Sequence, residues 1–134
     1  MSHYSEVQVE LRDRAALEAA LNRLGFEGKV EVHKEAQHLY GYQGDARAQK
    51  AHIIIRRQHV GRWANDLGFE RQADGRYRVW VSEYDQRHGY DDAWMGRLKQ
   101  AYGIEKARLE AKKRGYRVSE QKQDNGTVRL VLRR

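Results

Sequence analysis

The sequence predicts an α+β fold: a single domain over residues 1–134, with a mostly antiparallel sheet and two amphipathic helices on one face of it. Three observations lead to this prediction. Segments with strand and helix periodicity follow in the order strand, helix, several strands, helix and hairpin. Two dipeptides typical of tight turns, Asp74-Gly75 and Asn125-Gly126, lie between strand-like segments. No alternating series of strands and helices is present, which disfavours a doubly wound parallel sheet.

The first strand and the first helix are predicted from the N-terminal part of the chain. Asp13 is a suitable N-terminal helix cap, and Gly25 is suited to end the helix because glycine tolerates a left-handed backbone. The strand is indicated by Val7, Val9 and Leu11, which alternate with polar residues. The apolar face of the helix is formed by Leu17, Ala20, Leu21 and Leu24.

The next part of the sequence predicts a short strand, a loop and a central strand. Val30 and Val32 indicate the short strand, and residues 36–50 are predicted to be a loop because they contain glycine and glutamine. Residues 51–57 are predicted to form the central strand. The residues that favour it are the β-branched run Ile53, Ile54 and Ile55.

A hairpin is predicted next, with strands over residues 67–72 and 77–83 on either side of the first turn dipeptide. In its second strand, Tyr77, Val79 and Val81 have the spacing of side chains on one face.

The second helix begins at Asp91 or Asp92, either of which is a suitable cap. Gly103 lies inside this helix and is expected to weaken or kink it. Lys112, Lys113 and Arg114 lie in its last turn, where the helix dipole favours cations. Its apolar positions are Trp94, Leu98, Ala101, Ile104, Ala107 and Ala111.

The chain ends in a hairpin over residues 117–123 and 127–133, around the second turn dipeptide. We expect both helices to bury their apolar faces against one sheet that includes this hairpin. The predicted core is Leu17, Leu21, Leu24, Leu98 and Ile104, packed beneath Val7, Val9, Val79, Leu130 and Leu132.

Composition excludes several classes of protein. The chain has 134 residues, of which 40% are hydrophobic and 34% are charged with mixed signs, so wholesale disorder is not expected. No apolar run reaches the roughly 18 residues of a membrane span, and the opening residues lack the features of a secretory signal. There is no cysteine, which excludes disulfides and thiol chemistry. We therefore expect a cytosolic protein that does not enter a membrane.

The positive charge is concentrated in two tracts. Lys and Arg number 26 and Asp and Glu number 19, a net charge of +7. Residues 47–62 carry +5 and residues 105–134 carry +6, so the rest of the chain carries 7 − 11 = −4. Arg outnumbers Lys 18 to 8, and Arg makes bidentate contacts with phosphate and carboxylate. The tracts are interpreted either as a surface for nucleic acid or an acidic partner, or as solvated faces that aid solubility.

Short segments spread over nearly the whole chain share the pattern of one known family. They are residues 1–5, 13–17, 24–26, 41–44, 51–56, 67–69, 74–77 and 124–133. On these residues the chain resembles the hypothetical chloroplast reading frame thirty-five family, a domain of unknown function in plastids, cyanobacteria and other bacteria. The resemblance implies a fold and a cytosolic or stromal location, but no reaction. Family members often occur beside AAA-type ATPases, which implies an accessory role. Residues 82–88 depart from the Trp-rich stretch that the family usually has there.

The sequence contains no recognisable catalytic or cofactor motif. No phosphate loop, dinucleotide fingerprint or nucleophile elbow is present, and residues 41–44 are too short for a phosphate loop. Asp91 and Asp92 are explained by the helix start that they form. We therefore expect no enzyme activity, no cofactor and no metal site. The histidines lack metal-ligand spacing: His3, His33, His38, His52, His59 and His88.

A binding surface is the functional site that the sequence favours, in and beside the first basic tract. Aromatic side chains next to cations can stack on bases while the cations hold phosphates, although aromatic residues are also commonly part of a core. Arg56 and Arg57 are expected on opposite faces of the central strand, so that only one of them shares the site with Arg62. The candidate residues are Tyr42, Lys50, Arg56, Arg57, Arg62 and Trp63.

The leading hypothesis is a non-enzymatic binding or accessory module with a protein partner, such as an AAA-type ATPase. Nucleic-acid binding through the basic tract is the alternative, and an enzyme of unknown reaction is the second alternative. Salt distinguishes the first two, because a complex dominated by phosphate contacts weakens steeply between about 50 and 200 mM salt.

Overall fold

The computed structural model describes residues 3–7 and 10–134, so Met1, Ser2 and Val9 of the sequence predictions lie outside the described residues. The strands of the described part are β1 (Tyr4–Val7), β2 (Val30–Tyr40), β3 (Ala46–Ile55), β4 (Leu67–Arg71), β5 (Tyr77–Ser82), β6 (Arg117–Lys122) and β7 (Val128–Arg133). The α-helices there are α1 (Arg14–Leu21), α2 (Arg57–Val60), α3 (Glu83–Arg87) and α4 (Asp92–Lys113).

The main sheet has five strands in the order β1-β5-β4-β3-β2, and every neighbouring pair is antiparallel. The chain forms a meander from β2 to β5, and β1 adds to the free edge of β5. Strands β6 and β7 form a separate two-stranded antiparallel sheet. This architecture confirms the predicted α+β class with a mostly antiparallel sheet.

The two long helices, α1 and α4, pack on the same face of the main sheet and share one hydrophobic core with it. Leu17, Leu21 and Leu98 are completely buried in this core, as the sequence predicts. The side chains of β5 that face these helices are Tyr77, Val79 and Val81, which confirms their predicted common face.

Part of the predicted core is wrong. Leu24 and Ile104 are only half-buried, and so is Leu130 in the terminal hairpin. Leu132 is 47% exposed. For the two hairpin residues, the reason is that β6 and β7 form their own ribbon beside α4 instead of joining the main sheet, so their apolar side chains are only partly covered.

Residues 36–50, predicted to be a loop, instead form most of the long β2–β3 hairpin, whose turn lies between Tyr40 and Ala46. The pairing is irregular, since three more residues of β2 than of β3 lie between the pairs Val32–Ile53 and Gln37–Ala51. Such a bulge bends the strand and hides its alternation.

The far half of this hairpin covers the face of the sheet opposite the helices. Leu39 of β2 is fully buried there, in a second apolar cluster with Ile54 and Ala51 of β3. Gly68 of β4 lies beneath it. A Cβ atom at Gly68 would be 2.7 Å from the Cβ of Ala51 and 2.8 Å from Leu39, so only glycine fits this close approach.

The predicted caps of the two long helices are present. Asp13 accepts a hydrogen bond from the Ala16 amide at 3.0 Å, and Asp91 accepts one from the Trp94 amide at 3.0 Å. After α1 the chain makes a wider helical turn that ends near Gly25, where φ is +103°. Helix α4 continues through Gly103, the position at which the sequence predicts weakening or a kink.

The short helices α2 and α3 were not predicted, because four or five residues are too few to show helical periodicity. Neither they nor the longer helices of the described residues combine the length and apolarity needed to cross a membrane.

Candidate binding cleft around Trp63

An open cleft of about 630 Å³ lies where the β2–β3 turn meets α2 and the loop that follows it. The chain builds it because β3 ends at Ile55 and α2 turns the backbone away from the sheet, after which residues 61–66 return to β4. The residues that line it are Tyr42, Arg57, Gln58, Gly61, Arg62, Trp63 and Ala64.

Trp63 is the most prominent side chain of this cleft. It is 63% exposed, which is unusual for the largest apolar side chain of a protein. Its φ of +62° is the only positive value at a non-glycine residue in the described part of the chain. A bulky residue in this region costs about 1–2 kcal/mol, so the surrounding structure must hold Trp63 in place.

Two arginines complete the cleft. The guanidinium of Arg62 lies 5.6 Å from the centre of the Trp63 ring, in cation–π geometry. Arg57 Nη1 donates to the carbonyl oxygen of Tyr42 at 2.6 Å and so ties α2 to the hairpin turn. Neither Arg57 nor Arg62 forms an ion pair with a carboxylate of the described residues. Their charges are therefore available to an anionic group of a ligand.

The carboxylate of Asp66, at the end of the loop of residues 61–66, is buried beneath the cleft and fixes the loop by hydrogen bonds. It is 1% exposed and accepts three hydrogen bonds. Its Oδ1 accepts from the Arg57 amide at 2.7 Å, and its Oδ2 accepts from the Tyr40 amide and from Arg56 Nη1, both at 2.8 Å. One buried carboxylate thus joins β2, α2 and the loop.

Asn65 connects the same loop to α3. Its amide donates to Asp85 Oδ2 at 3.0 Å, and its side chain donates to Ser82 Oγ at 2.9 Å. Its Oδ1 accepts from the Tyr42 amide at 3.0 Å. Asn65, Ser82 and Asp85 are all buried, so this network fixes both walls of the cleft.

Burial raises the pKa of Asp85 above its ordinary value, although hydrogen bonds from Ser82 and Asn65 partly offset this effect. Residues 82–88, which depart from the resembled family, supply this support: Ser82 caps α3 by accepting from the Asp85 amide at 3.0 Å. Sequence reasoning missed the network of Asn65, Ser82 and Asp85 because Asn65 is 17 and 20 residues away from its two partners. The signal in the sequence that could have indicated these residues is the polar pair Asn65-Asp66, which immediately precedes an apolar strand.

Four of the six predicted binding residues meet in the cleft: Tyr42, Arg57, Arg62 and Trp63. Lys50 does not join them. It lines a separate depression of about 290 Å³ with Glu70 and Trp80.

Arg56 lies in a neighbouring depression and is already paired. Its Nε donates to Glu31 at 3.0 Å, its Nη1 contacts Asp66, and its guanidinium lies 5.6 Å from the centre of the Tyr40 ring. The predicted placement of Arg56 and Arg57 on opposite faces of a strand is wrong, because β3 ends at Ile55 and Arg57 begins α2.

In the folded protein, carboxylates from other parts of the chain lie close to the first basic tract and weaken its positive field. Burial raises the pKa of Glu31, but the hydrogen bonds and charges of Arg56 and His33 outweigh it, so this pKa lies below its ordinary value. Glu31 therefore stays ionised beside Arg56 at neutral pH. Asp45 lies 3.8 Å from Arg47 in the same region. The positive field of residues 47–62 is consequently weaker than their sequence implies.

Among the described residues, no group of three or more His, Asp or Glu side chains is arranged to hold a metal ion.

Neither the curated proteins nor the solved structures include a match to this chain. Residues 20–131 match the family described as Protein of unknown function (DUF1257), which is most of the chain. The chain therefore belongs to this family of proteins of unknown function.

Proposed function

We propose that this protein is a non-enzymatic binding or accessory module that holds a protein partner in the cleft around Trp63. The observation that carries the proposal is an exposed Trp63, backed by a buried network and flanked by Tyr42, Arg57 and Arg62. Trp, Tyr and Arg are the residues most often found to dominate the energy of protein interfaces.

Preorganisation supports this role. The loop is held by Asn65 and Asp66, and Arg57 is fixed to the hairpin turn, so binding would require little ordering of the backbone. Low ordering cost increases the net affinity obtained from a given contact area.

The chemistry of the cleft supports binding more than catalysis. The side chains that line it supply aromatic rings, two guanidinium groups and one amide. None of these lining groups is a carboxylate or imidazole able to act as a general base near neutral pH. Beneath the cleft, both oxygens of Asp66 accept hydrogen bonds, and Asp85 Oδ2 accepts from the Asn65 amide and from Ser82.

The partner that fits this surface is a protein segment with acidic and apolar side chains. We infer that the matched family is the chloroplast reading frame thirty-five family that the sequence resembles. Its association with AAA-type ATPases supports such an ATPase as the partner, with a cytosolic or stromal location.

The alternative is single-stranded nucleic acid stacked on Trp63 and Tyr42. Arg57 and Arg62 favour it because neither has a carboxylate partner among the described residues, and guanidinium groups can hold phosphates beside stacked bases. The weakening of the surrounding positive field by Glu31, Asp45 and Asp66 favours the protein partner.

The test is affinity capture from an extract of the native cells, with the immobilised full chain as bait. We expect wild type to enrich a protein that W63A fails to enrich at both about 50 and 200 mM salt. The matched control is L132A, which also removes a large exposed apolar side chain and should retain the partner. Enrichment that survives in W63A would overturn the proposal. Nuclease-sensitive material lost at the higher salt concentration would favour nucleic acid instead.

A further inference from the structure

The β6–β7 ribbon has two chemically different faces. Its register pairs Val118 with Leu132 and Glu120 with Leu130 on the face that holds the apolar side chains. Alternate residues of a strand point to opposite faces. The outer face therefore carries the other pairs of the ladder, which are Arg117 with Arg133, Ser119 with Val131, and Gln121 with Arg129.

The inner face attaches the ribbon to the rest of the protein. Glu120 Oε2 accepts from Arg23 at 2.7 Å and from Arg108 of α4 at 2.9 Å. The hydrogen bond from Arg23 contributes most to a lowered pKa of Glu120, so this carboxylate stays charged. Gln100 of α4 also donates to the carbonyl oxygen of Gly126 in the turn, at 3.2 Å. The ribbon is thus held on α4 with its outer face turned away.

The outer face is exclusively basic among its charged residues. Arg117, Arg129 and Arg133 are exposed, and none of them forms an ion pair or a side-chain hydrogen bond within the described residues. By contrast, Arg23 and Arg108 on the inner side share the carboxylate of Glu120.

The positions of these arginines are costly for the free protein. Arg117 lies directly opposite Arg133 in the ladder, and like charges at opposed positions destabilise an antiparallel pair. No carboxylate of the ribbon shares their face, since Glu120 points inward and Asp124 lies in the turn. An anionic ligand would remove this repulsion.

We propose that the outer face of β6–β7 binds duplex DNA, with the ribbon in the major groove and its arginines on the phosphates. The B-form major groove is about 12 Å wide and admits a two-stranded ribbon. Arg129 and Arg133 are four residues apart on β7, which at about 3.4 Å per residue is about 14 Å. The positive charges are therefore spread along the ribbon, with Arg117 and Arg133 near one end and Arg129 near the other, so that they can contact different phosphates. A-form RNA is a poorer fit because its major groove is deep and narrow.

The ribbon and the cleft around Trp63 are different surfaces, so this inference is independent of the proposed protein partner. The contacts are to phosphates, and the inferred binding carries no base specificity beyond what groove geometry imposes.

The test is fluorescence anisotropy of a short labelled B-form duplex with the purified full chain, between about 50 and 200 mM salt. Each phosphate contact contributes about 0.9 to the slope of log affinity against log salt. We expect the triple variant R117Q/R129Q/R133Q to lower the slope by about 2.7 if all three contacts are made. The charge-preserving variant R117K/R129K/R133K should retain the wild-type slope within about one unit.

The matched control is R14Q/K34Q/R87Q, which also removes three positive charges, but from exposed positions outside the ribbon. We expect it to lower the slope by less than about one unit, and W63A to leave it unchanged. Circular dichroism checks the fold of each variant. If the triple variant is unfolded, the single variant R129Q replaces it in the test and is expected to lower the slope by about 0.9. An equal loss in the control, unchanged binding in the ribbon variants, or tighter binding of duplex RNA would overturn the proposal.

Discussion

Replacing Asp66 by Asn removes the acceptor that joins β2, α2 and the cleft loop, with almost no change in size. The carboxylate accepts from the Arg57 amide on one oxygen and from the Tyr40 amide and Arg56 on the other. An asparagine side chain has one oxygen and one NH₂ group, so it can serve only one of these two sides. Whichever way the amide is oriented, at least one donor then faces another donor.

The expected cost follows from these contacts. A buried donor left without an acceptor costs about 1–3 kcal/mol. The neutral side chain also loses its ion pair with Arg56, whose own side chain is 20% exposed while that of Asp66 is 1% exposed. Together these losses predict that D66N lowers the free energy of unfolding by about 2–4 kcal/mol.

Urea denaturation measures this change. With a denaturant dependence of about 1–3 kcal/mol per molar, a loss of about 3 kcal/mol lowers the midpoint by about 1–3 M. Hydrogen exchange gives a local readout, because the amides of Tyr40 and Arg57 should lose protection. The control is D124N at an exposed turn position, where we expect a change within about 0.5 kcal/mol. If D66N matches this control in midpoint and in amide protection, Asp66 does not organise the cleft.

Two further predictions concern the hydrophobic core and the dependence of stability on pH under acidic conditions. L21A, at a completely buried position of α1, should lower the free energy of unfolding by about 2–5 kcal/mol in urea, and a loss below about 1 kcal/mol would contradict its place in the core. Because the pKa of Glu31 is lowered in the folded protein, the unfolded chain binds more protons between that pKa and the ordinary value of 4.5, so stability rises with pH in this window. The stability of E31Q should therefore rise less across this window. Its free energy of unfolding should be lower than that of wild type by the full amount above about pH 5, and the difference should disappear as the pH falls through the lowered pKa. Identical pH profiles of the urea midpoints would refute the pairing of Glu31 with Arg56.

The predicted site shows how far sequence reasoning reaches. Tyr42 and Trp63 flank a basic tract in the sequence, and they do share a cleft with Arg57 and Arg62. The sequence also predicts Lys50 in this site because it is close in the chain, yet Lys50 lies in another depression. Closeness along a strand does not bring side chains together when alternate residues face opposite ways and a bulge bends the hairpin.

In the second basic tract, residues 105–134, the sequence explains Lys112, Lys113 and Arg114 as cations that complement a helix end. The register of the terminal ribbon separates the arginines that pair inward from those that face outward. Only this register distinguishes a neutralised cation from an available one.

The sequence by itself determined the fold class, the two capped helices and the two tight hairpins of this protein. Asp13, Asp91 and Asn125-Gly126 act through hydrogen bonds and backbone preferences within a few residues, so local reasoning is sufficient for them.

Only the tertiary structure decided that the terminal ribbon stays apart from the sheet, that the β2–β3 hairpin covers Gly68, and that Asp66 and Asn65 support Trp63. These features depend on contacts between residues that are close in space but separated in the chain, with spacings that follow no period. Their stability comes from burial and from satisfied polar groups that exist only after the elements have packed.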